Sequence, residues 1–336
     1  LEWSIGHPDR SEYGLRLASA IWPFWHMRNY QTEGRNWLER VLTGSESGAT
    51  ALRAEALSGA GGLAYTQSDY ERATALLEES RRYARSAGDS GIEARALMYL
   101  ANIDGQTGNY AQALSKNRES LRLFRERQDT SSAANALYNA GVTLVYLEKY
   151  EEAQSVLEES LQLFRSMGNK LGMSMALKNL ACIRRRRGDL EQAKIAIEES
   201  VSHLLESGAH NFKGEALLEM GAIEQARGNY LEALGRFQDA LRQAVKIQDE
   251  PARWEAMEGV ACVSAVAGGG TAQRHTTYQS PPTQQAKPSA DLAVRGRHTL
   301  EYAVRLLATT DGQDKRPRDP WPVSYTHLTL PTILRV

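Results

Sequence analysis

Cysteine is nearly absent from this 336-residue sequence: Cys182 and Cys262 are the only two, and they stand eighty positions apart. That spacing argues against a disulfide framework and gives a reducing, cytoplasmic setting as the expectation. Proline is missing from Phe24 to Glu250, whereas seven of the ten prolines follow Ser280. Proline removes a backbone donor and clashes with the preceding helical turn, so the body reads as all-helical and the tail as something different. No apolar run approaches the ~18 residues that span a bilayer. The first residues also lack the basic-then-apolar pattern of a signal peptide, so no membrane partner is expected. An excess of one charge is missing too: the formal net charge is −1, and the longest basic run is Arg184 to Arg187. Direct nucleic-acid binding by this segment is therefore not expected.

Signatures of chemistry are equally scarce. No phosphate loop ending in Gly-Lys-Ser/Thr occurs, and the seven histidines are scattered without metal-ligand spacing. No enzyme activity, cofactor or metal is expected. Gly59-Ala60-Gly61-Gly62-Leu63-Ala64 matches a dinucleotide fingerprint only in its letters, because that motif needs a strand before the glycines and a helix starting at them. The carboxylate pairs Glu78-Glu79, Glu158-Glu159 and Glu198-Glu199 recur beside Ser80, Ser160 and Ser200. They read as repeated surface, not as acid/base pairs.

A period of forty residues is what the sequence does contain. Tyr30, Tyr70, Tyr110, Tyr150 and Tyr230 recur in it, with Leu190 filling the gap, and Ala73, Ala113, Ala153, Ala193 and Ala233 follow three places on. Asn29, Asp69, Asn109, Lys149, Asp189 or Asn229 precedes each. A second series runs Leu57, Leu97, Leu137, Leu177, Leu217 and Met257, each followed four places later by Gly or Ala. Small residues there allow two helix axes to approach closely. Gly108-Asn109, Gly188-Asp189 and Gly228-Asn229 combine a helix-ending residue with one able to cap the next helix. Each unit is thus a helix, a turn and a second helix, and one unit cannot bury its own apolar face without its neighbours.

The small-residue position, the Asp/Asn-Tyr pair and the following Ala resemble the tetratricopeptide consensus from about Arg53 to Ala267. Each unit here is six residues longer than the common form and lacks its closing proline, and HEAT-type repeats, of similar period, are the alternative. The resemblance implies an all-α, right-handed superhelical solenoid of helical hairpins with period 40. The preceding segment, Gly14-Leu15-Arg16-Leu17-Ala18, Ile21-Trp22-Pro23-Phe24-Trp25 and Glu33-Gly34-Arg35-Asn36-Trp37-Leu38-Glu39, resembles the segment that joins ATPase module to repeats in bacterial STAND-type signalling ATPases, including large LuxR-type regulators. Trp22, Trp25 and Trp37 are equally suited to bury the end of the array.

That resemblance implies a non-catalytic sensor arm that binds a protein or ligand, a stand-alone scaffold being the alternative. It also places the first helix of each unit on the inner face, with the second, fifth, ninth and twelfth residues exposed on one stripe. Across units these are Arg95, Met98 and Asn102; Asn135, Tyr138, Val142 and Val145; Met175, Lys178, Cys182 and Arg185; and Glu215, Leu218, Ala222 and Gln225. Asn139 and Asn179 hold the sixth place, where family asparagines grip a peptide backbone; a helix cap or helix-to-helix hydrogen bond is the structural alternative. Arg184 to Arg187 close their helix, where cations suit the negative end of its dipole. With Lys178 they are also the best candidates for gripping an acidic segment. The expected ligand-contacting set is Tyr138, Asn139, Lys178, Asn179, Arg185 and Arg186.

The expected division is a capping hairpin over 1–48, repeats over 49–268, an irregular or frameshifted tail over 269–322, and an adapter remnant over 323–336. The seventh hairpin opens normally, but after Gly268 the helical period is lost, with Leu300 to Leu307 the one later amphipathic stretch. Val323-Ser324-Tyr325-Thr326-His327-Leu328-Thr329-Leu330-Pro331-Thr332 resembles a translated transposon-end adapter from library preparation. The chain opens on Leu1, and a fragment of a longer protein is expected.

Overall fold

The computed structural model describes residues 1–5, 10–28, 30–43, 50–209 and 212–267. The expectations for Asn29, Gly268, the tail 269–322 with its Leu300–Leu307 stretch, and 323–336 lie outside these residues. Every regular element among the described residues is helical. After a 3-10 turn at Glu2–Ser4 come α1 (Ser11–Met27), α2 (Gln31–Thr43), α3 (Thr50–Thr66), α4 (Tyr70–Ala87), α5 (Ser90–Gln106), α6 (Tyr110–Glu126), α7 (Thr130–Tyr146) and α8 (Tyr150–Ser166). They are followed by α9 (Lys170–Arg186), α10 (Leu190–Ser207), α11 (Lys213–Ala226), α12 (Tyr230–Ile247) and α13 (Glu250–Ala267). Two compact units divide at Gly168/Asn169; α1 to α8 form the first, α9 to α13 the second.

The turns explain the period. Positions 68, 88, 108, 128, 148, 168, 188, 208, 228 and 248 all carry a positive φ, so the chain reverses every twenty residues. Six of these positions are glycine, while Ser68, Gln128, Glu148 and Gln248 adopt the same left-handed conformation with a side chain. The next residue, Ala209 excepted, directly precedes the following helix. Asp69, Asp89, Asp129, Asn169, Asp189 and Asp249 each accept a backbone N–H from its first turn, satisfying donors the helix cannot. Asn109 and Asn229 depart from the capping expectation. Their side-chain amides instead donate to Thr107 Oγ1 at 3.0 Å and Glu224 Oε2 at 2.6 Å, acceptors within reach that leave the helix start uncapped. Ala209 stands where α5, α7, α9 and α13 have Asp or Asn, and α11 starts late, at Lys213, with no side-chain cap.

Within four hairpins, α3/α4, α5/α6, α7/α8 and α9/α10, the two helices are held by a buried hydroxyl. Ser80, Ser120, Ser160 and Ser200 are fully buried and donate to the carbonyls of Ala54, Ala94, Ala134 and Ser174 at 2.7, 2.8, 2.9 and 2.7 Å. Ala240 takes this place in the α11/α12 hairpin, which lacks the bond. The glycines of the 59–62 run lie inside α3. A Cβ there would meet Trp22 at 2.8 Å from Gly59, Leu77 at 2.6 Å from Gly61, and Tyr99 at 3.1 Å from Gly62. Each glycine admits a different neighbour, which gives the run a packing role. Trp22 and Trp25 are buried in the first unit's core, and Trp37 packs partly buried against it.

Candidate ligand-binding face

The first helices of the hairpins touch one another within each unit: α3, α5 and α7 in the first, α9, α11 and α13 in the second. The second helices approach their counterparts less closely and are tied by ions at their surface. Arg85 pairs with Glu119 at 3.4 Å, and Arg125 pairs with Glu159. The face lined by first helices is therefore the one that brings side chains from successive repeats together.

In the first unit, Arg95 of α5 reaches back to α3. It pairs with Glu55 and donates from Nε to Ser58 Oγ at 3.0 Å, while its guanidinium lies 5.6 Å from the Trp22 ring centre. Trp22 Nε1 in turn donates to Glu55 Oε1 at 3.2 Å. Beside this network the Tyr65 and Tyr99 rings lie 5.9 Å apart, and burial pushes both phenols above their usual range. Tyr138 and Asn139 stand half-buried on α7. Asn135, one turn earlier, donates back to the Ser131 carbonyl at 3.1 Å.

In the second unit, Lys178, Asn179, Arg185 and Arg186 all belong to α9, but they do not form one cationic grip. Consecutive residues on a helix point in different directions, and the arginine run disperses accordingly. Arg184 donates to the Gln192 carbonyl of α10 at 3.3 Å. Arg185 is 5% exposed and forms a two-pronged pair with Glu219 of α11, Nε to Oε1 at 2.7 Å and Nη2 to Oε2 at 3.2 Å. Arg186 is half-buried beside Cys182, and Arg187 is exposed at the turn. Asn179 is buried and donates to the Met175 carbonyl of its own helix at 3.0 Å. Lys178 is half-buried and pairs with the exposed Glu215 of α11.

One feature of this face was not legible as a site element. Glu219 reads in sequence as one more surface acid, yet it neutralises Arg185 across the repeat boundary. Its spacing of thirty-four from Arg185 recurs in Arg85–Glu119 and Arg125–Glu159, and that recurrence was the available signal. Cys182 is buried deeply enough to push its thiol up, with Glu219 adding to the effect. Among the described residues no group of three potential ligands could hold a metal ion, and no helix is long and apolar enough to cross a membrane.

The tetratricopeptide-repeat family model matches residues 32–126 and 132–206, just over half of the chain. The chain belongs to the tetratricopeptide-repeat family. Among solved structures it is similar to the apo form of RapI, with a TM-score of 0.61 and 12% identity over 89% of this chain and 99% of that one. It is also similar to a signal transduction ATPase with numerous domains (STAND) protein with a tetratricopeptide repeat sensor from Pyrococcus horikoshii, with a TM-score of 0.63 and 16% identity. That match covers 90% of this chain and 44% of the larger protein. A third is a Rap protein complexed with Competence and Sporulation Factor, with a TM-score of 0.54 and 14% identity over 82% of this chain and 80% of that one. At these identities the likeness concerns the tetratricopeptide fold alone. No curated protein matches the sequence significantly.

Proposed function

We propose that this tetratricopeptide array is the non-catalytic sensor arm of a cytoplasmic bacterial signalling ATPase or transcription regulator, and that its first-helix face binds an acidic protein or peptide. The observation that carries the binding site is Lys178. Its side chain is 24% exposed and that of its carboxylate partner, Glu215, 51% exposed. Exposed ion pairs contribute about 0–1 kcal/mol, so a multivalent acidic ligand can replace Glu215 at little cost. Asn179 and Arg186 lie on the same helix, and Arg185, held by Glu219, ties α9 to α11. In the first unit Tyr138 and Asn139 offer a ring and an amide to a peptide. Likeness to a STAND protein with a tetratricopeptide repeat sensor and to a Rap protein complexed with Competence and Sporulation Factor supports the signalling context.

A fluorescent glutamate-rich peptide tests the site, with its glutamine counterpart as control. Reversal by Lys178→Glu should weaken the acidic peptide about tenfold, the effect of ~1.4 kcal/mol, with helicity unchanged. Equal binding of both peptides, or no effect of the reversal, refutes the acidic-ligand reading. The signalling context is tested by genomic sequence upstream of the Leu1 codon, where a phosphate loop is expected; a stand-alone scaffold would have none.

A further inference from the structure

Helix α13 opens a hairpin whose second helix is not among the described residues. It packs on α11 and α12. Gly259 faces back, since a Cβ there would lie 2.6 Å from Phe237 of α12. Two residues on comes the place that faces forward. Gly61, Gly141 and Gly221 hold it in α3, α7 and α11, each admitting the residue sixteen positions later in the second helix of its own hairpin; Ala261 holds it in α13. Met257 and Ala261 are half-buried, whereas the residues at forty-residue steps before them, back to Leu57 and Gly61, are all buried. Trp254 is 38% exposed where Ala54, Ala94, Ala134 and Ser174 are buried. The face that the preceding first helices give to their second helix is thus less covered on α13.

We propose that the chain's own residues 300–316 dock on this face as the displaced second helix of the last hairpin. The forty-residue period sets that helix at 270. There, however, Gly270, Gln273 and Thr277 hold the places of tyrosine, alanine and a large apolar residue, and Pro281-Pro282 would break the helix. Thirty residues on, the pattern returns. The stretch from Leu300 to Thr310 follows the opening of α4, Tyr70 to Ser80, with Glu, Ala, Leu and Leu at the same four places, leucine first as in α10, and threonine for serine last. The fourth, eighth and eleventh places of these second helices are buried in all five hairpins from α3/α4 to α11/α12. Here they are Ala303, Leu307 and Thr310, one helical stripe. Leu307 then meets Ala261 as Leu157 meets Gly141. Thr310 donates to the Trp254 carbonyl, as Ser80, Ser120, Ser160 and Ser200 donate to carbonyls twenty-six places before them. Thr299 is a suitable cap, Lys315 and Arg316 suit the negative end of the dipole, and Pro317 ends the helix at the length of α6 and α8. The connection 268–299 is long, but closure entropy grows only with the logarithm of loop length. The docked helix caps the array, whatever ligand the first-helix face takes.

Hydrogen exchange of the full 336-residue chain, read by mass spectrometry at a low and a high protein concentration, tests it. Residues 300–316 should exchange more slowly than the same segment as a synthetic peptide, and equally so at both concentrations. L307E should abolish that protection and speed exchange in α13, with α1 to α10 unchanged. R305E, at a place that α4, α6, α8 and α10 expose, should leave it intact. A261L should remove the protection by overpacking, and the swap A261L/L307A should restore it. A segment that exchanges like the free peptide overturns the proposal, as does protection seen only at the higher concentration, which a second copy's segment would give. So does a loss in R305E equal to that in L307E, or a swap that restores nothing.

Discussion

Leu157 fills the space left by the missing side chain of Gly141: a Cβ on that glycine would lie 2.5 Å from Leu157 Cγ. The same relation joins Gly61 to Leu77 and Gly221 to Phe237, each at 2.6 Å and each sixteen residues apart. Where the residue sixteen places on is Asn117 or Ile197, the small position is Ala101 or Ala181. Gly141→Ala should therefore destabilise the first unit, because overpacking costs ~1–3 kcal/mol against a helix-propensity gain of about 1 kcal/mol. Gly105→Ala, with nothing within 4 Å of the new methyl, should stabilise by ~0.5–1 kcal/mol. Urea unfolding of both variants checks the pair, and two stabilised variants would disprove the close approach.

Gln128 and Glu148 hold a left-handed backbone at φ 57° where other turns use glycine. A side chain in that conformation costs ~1–2 kcal/mol, only partly offset by the lower chain entropy of a non-glycine residue, ~0.5–1 kcal/mol. Glu148→Gly and Gln128→Gly should each raise stability by up to ~1 kcal/mol, and Gly108→Ala should lower it. Thermal melts give the sign directly; a lower melting temperature for both glycine variants would contradict the turn geometry.

Arg185 and Glu219 are both nearly inaccessible, at 3 and 9% side-chain exposure. Removing one partner leaves a buried charge without its counter-ion, so Glu219→Ala should cost ~3–5 kcal/mol, while an apolar pair of similar volume recovers most of it. The double variant R185M/E219M is the measurement that separates the two. If Glu219→Ala is as benign as a surface substitution, the pair is open to solvent.

Acid should weaken the second unit through Glu224. Burial raises this carboxyl, but hydrogen bonds from Asn229 and Lys194 and the charges of Lys194 and Arg227 outweigh it, holding the group below the ordinary 4.5. A folded-state value below the unfolded one stabilises above about pH 4.5 and loses that contribution as pH falls through the folded value. The stability gap between wild type and Glu224→Gln should thus be full at neutral pH and shrink in acid. A gap that widens on acidification would reverse the sign.

The helical hairpins and their boundaries were legible because tyrosine, alanine and turn glycines repeat at fixed spacing, and that spacing survives substitution at single positions. Ser80 and its counterparts were not, since a serine beside two glutamates has the composition of surface and only the packed second helix shows where its hydroxyl points. The arginine run misled in the opposite sense. Adjacent in sequence, Arg184 to Arg187 suggest one charged patch, yet α9 sends Arg184 and Arg185 to different neighbouring helices. Tyr138 and Asn139 are proposed only through family register, because nothing local distinguishes them from other half-buried residues of α7.

The twenty-residue rhythm of the turns also governs how such a chain can change length. Deleting one residue inside a helix rotates all that follows by about 100°, taking buried serines and packing glycines off their partners at a stroke. Duplicating a stretch from one capping aspartate to the equivalent one forty residues on restores every face. Growth and shortening by whole hairpins are thus the tolerated steps, and the delayed start of α11 marks a place where the pattern has drifted at a loop while its helices have kept count.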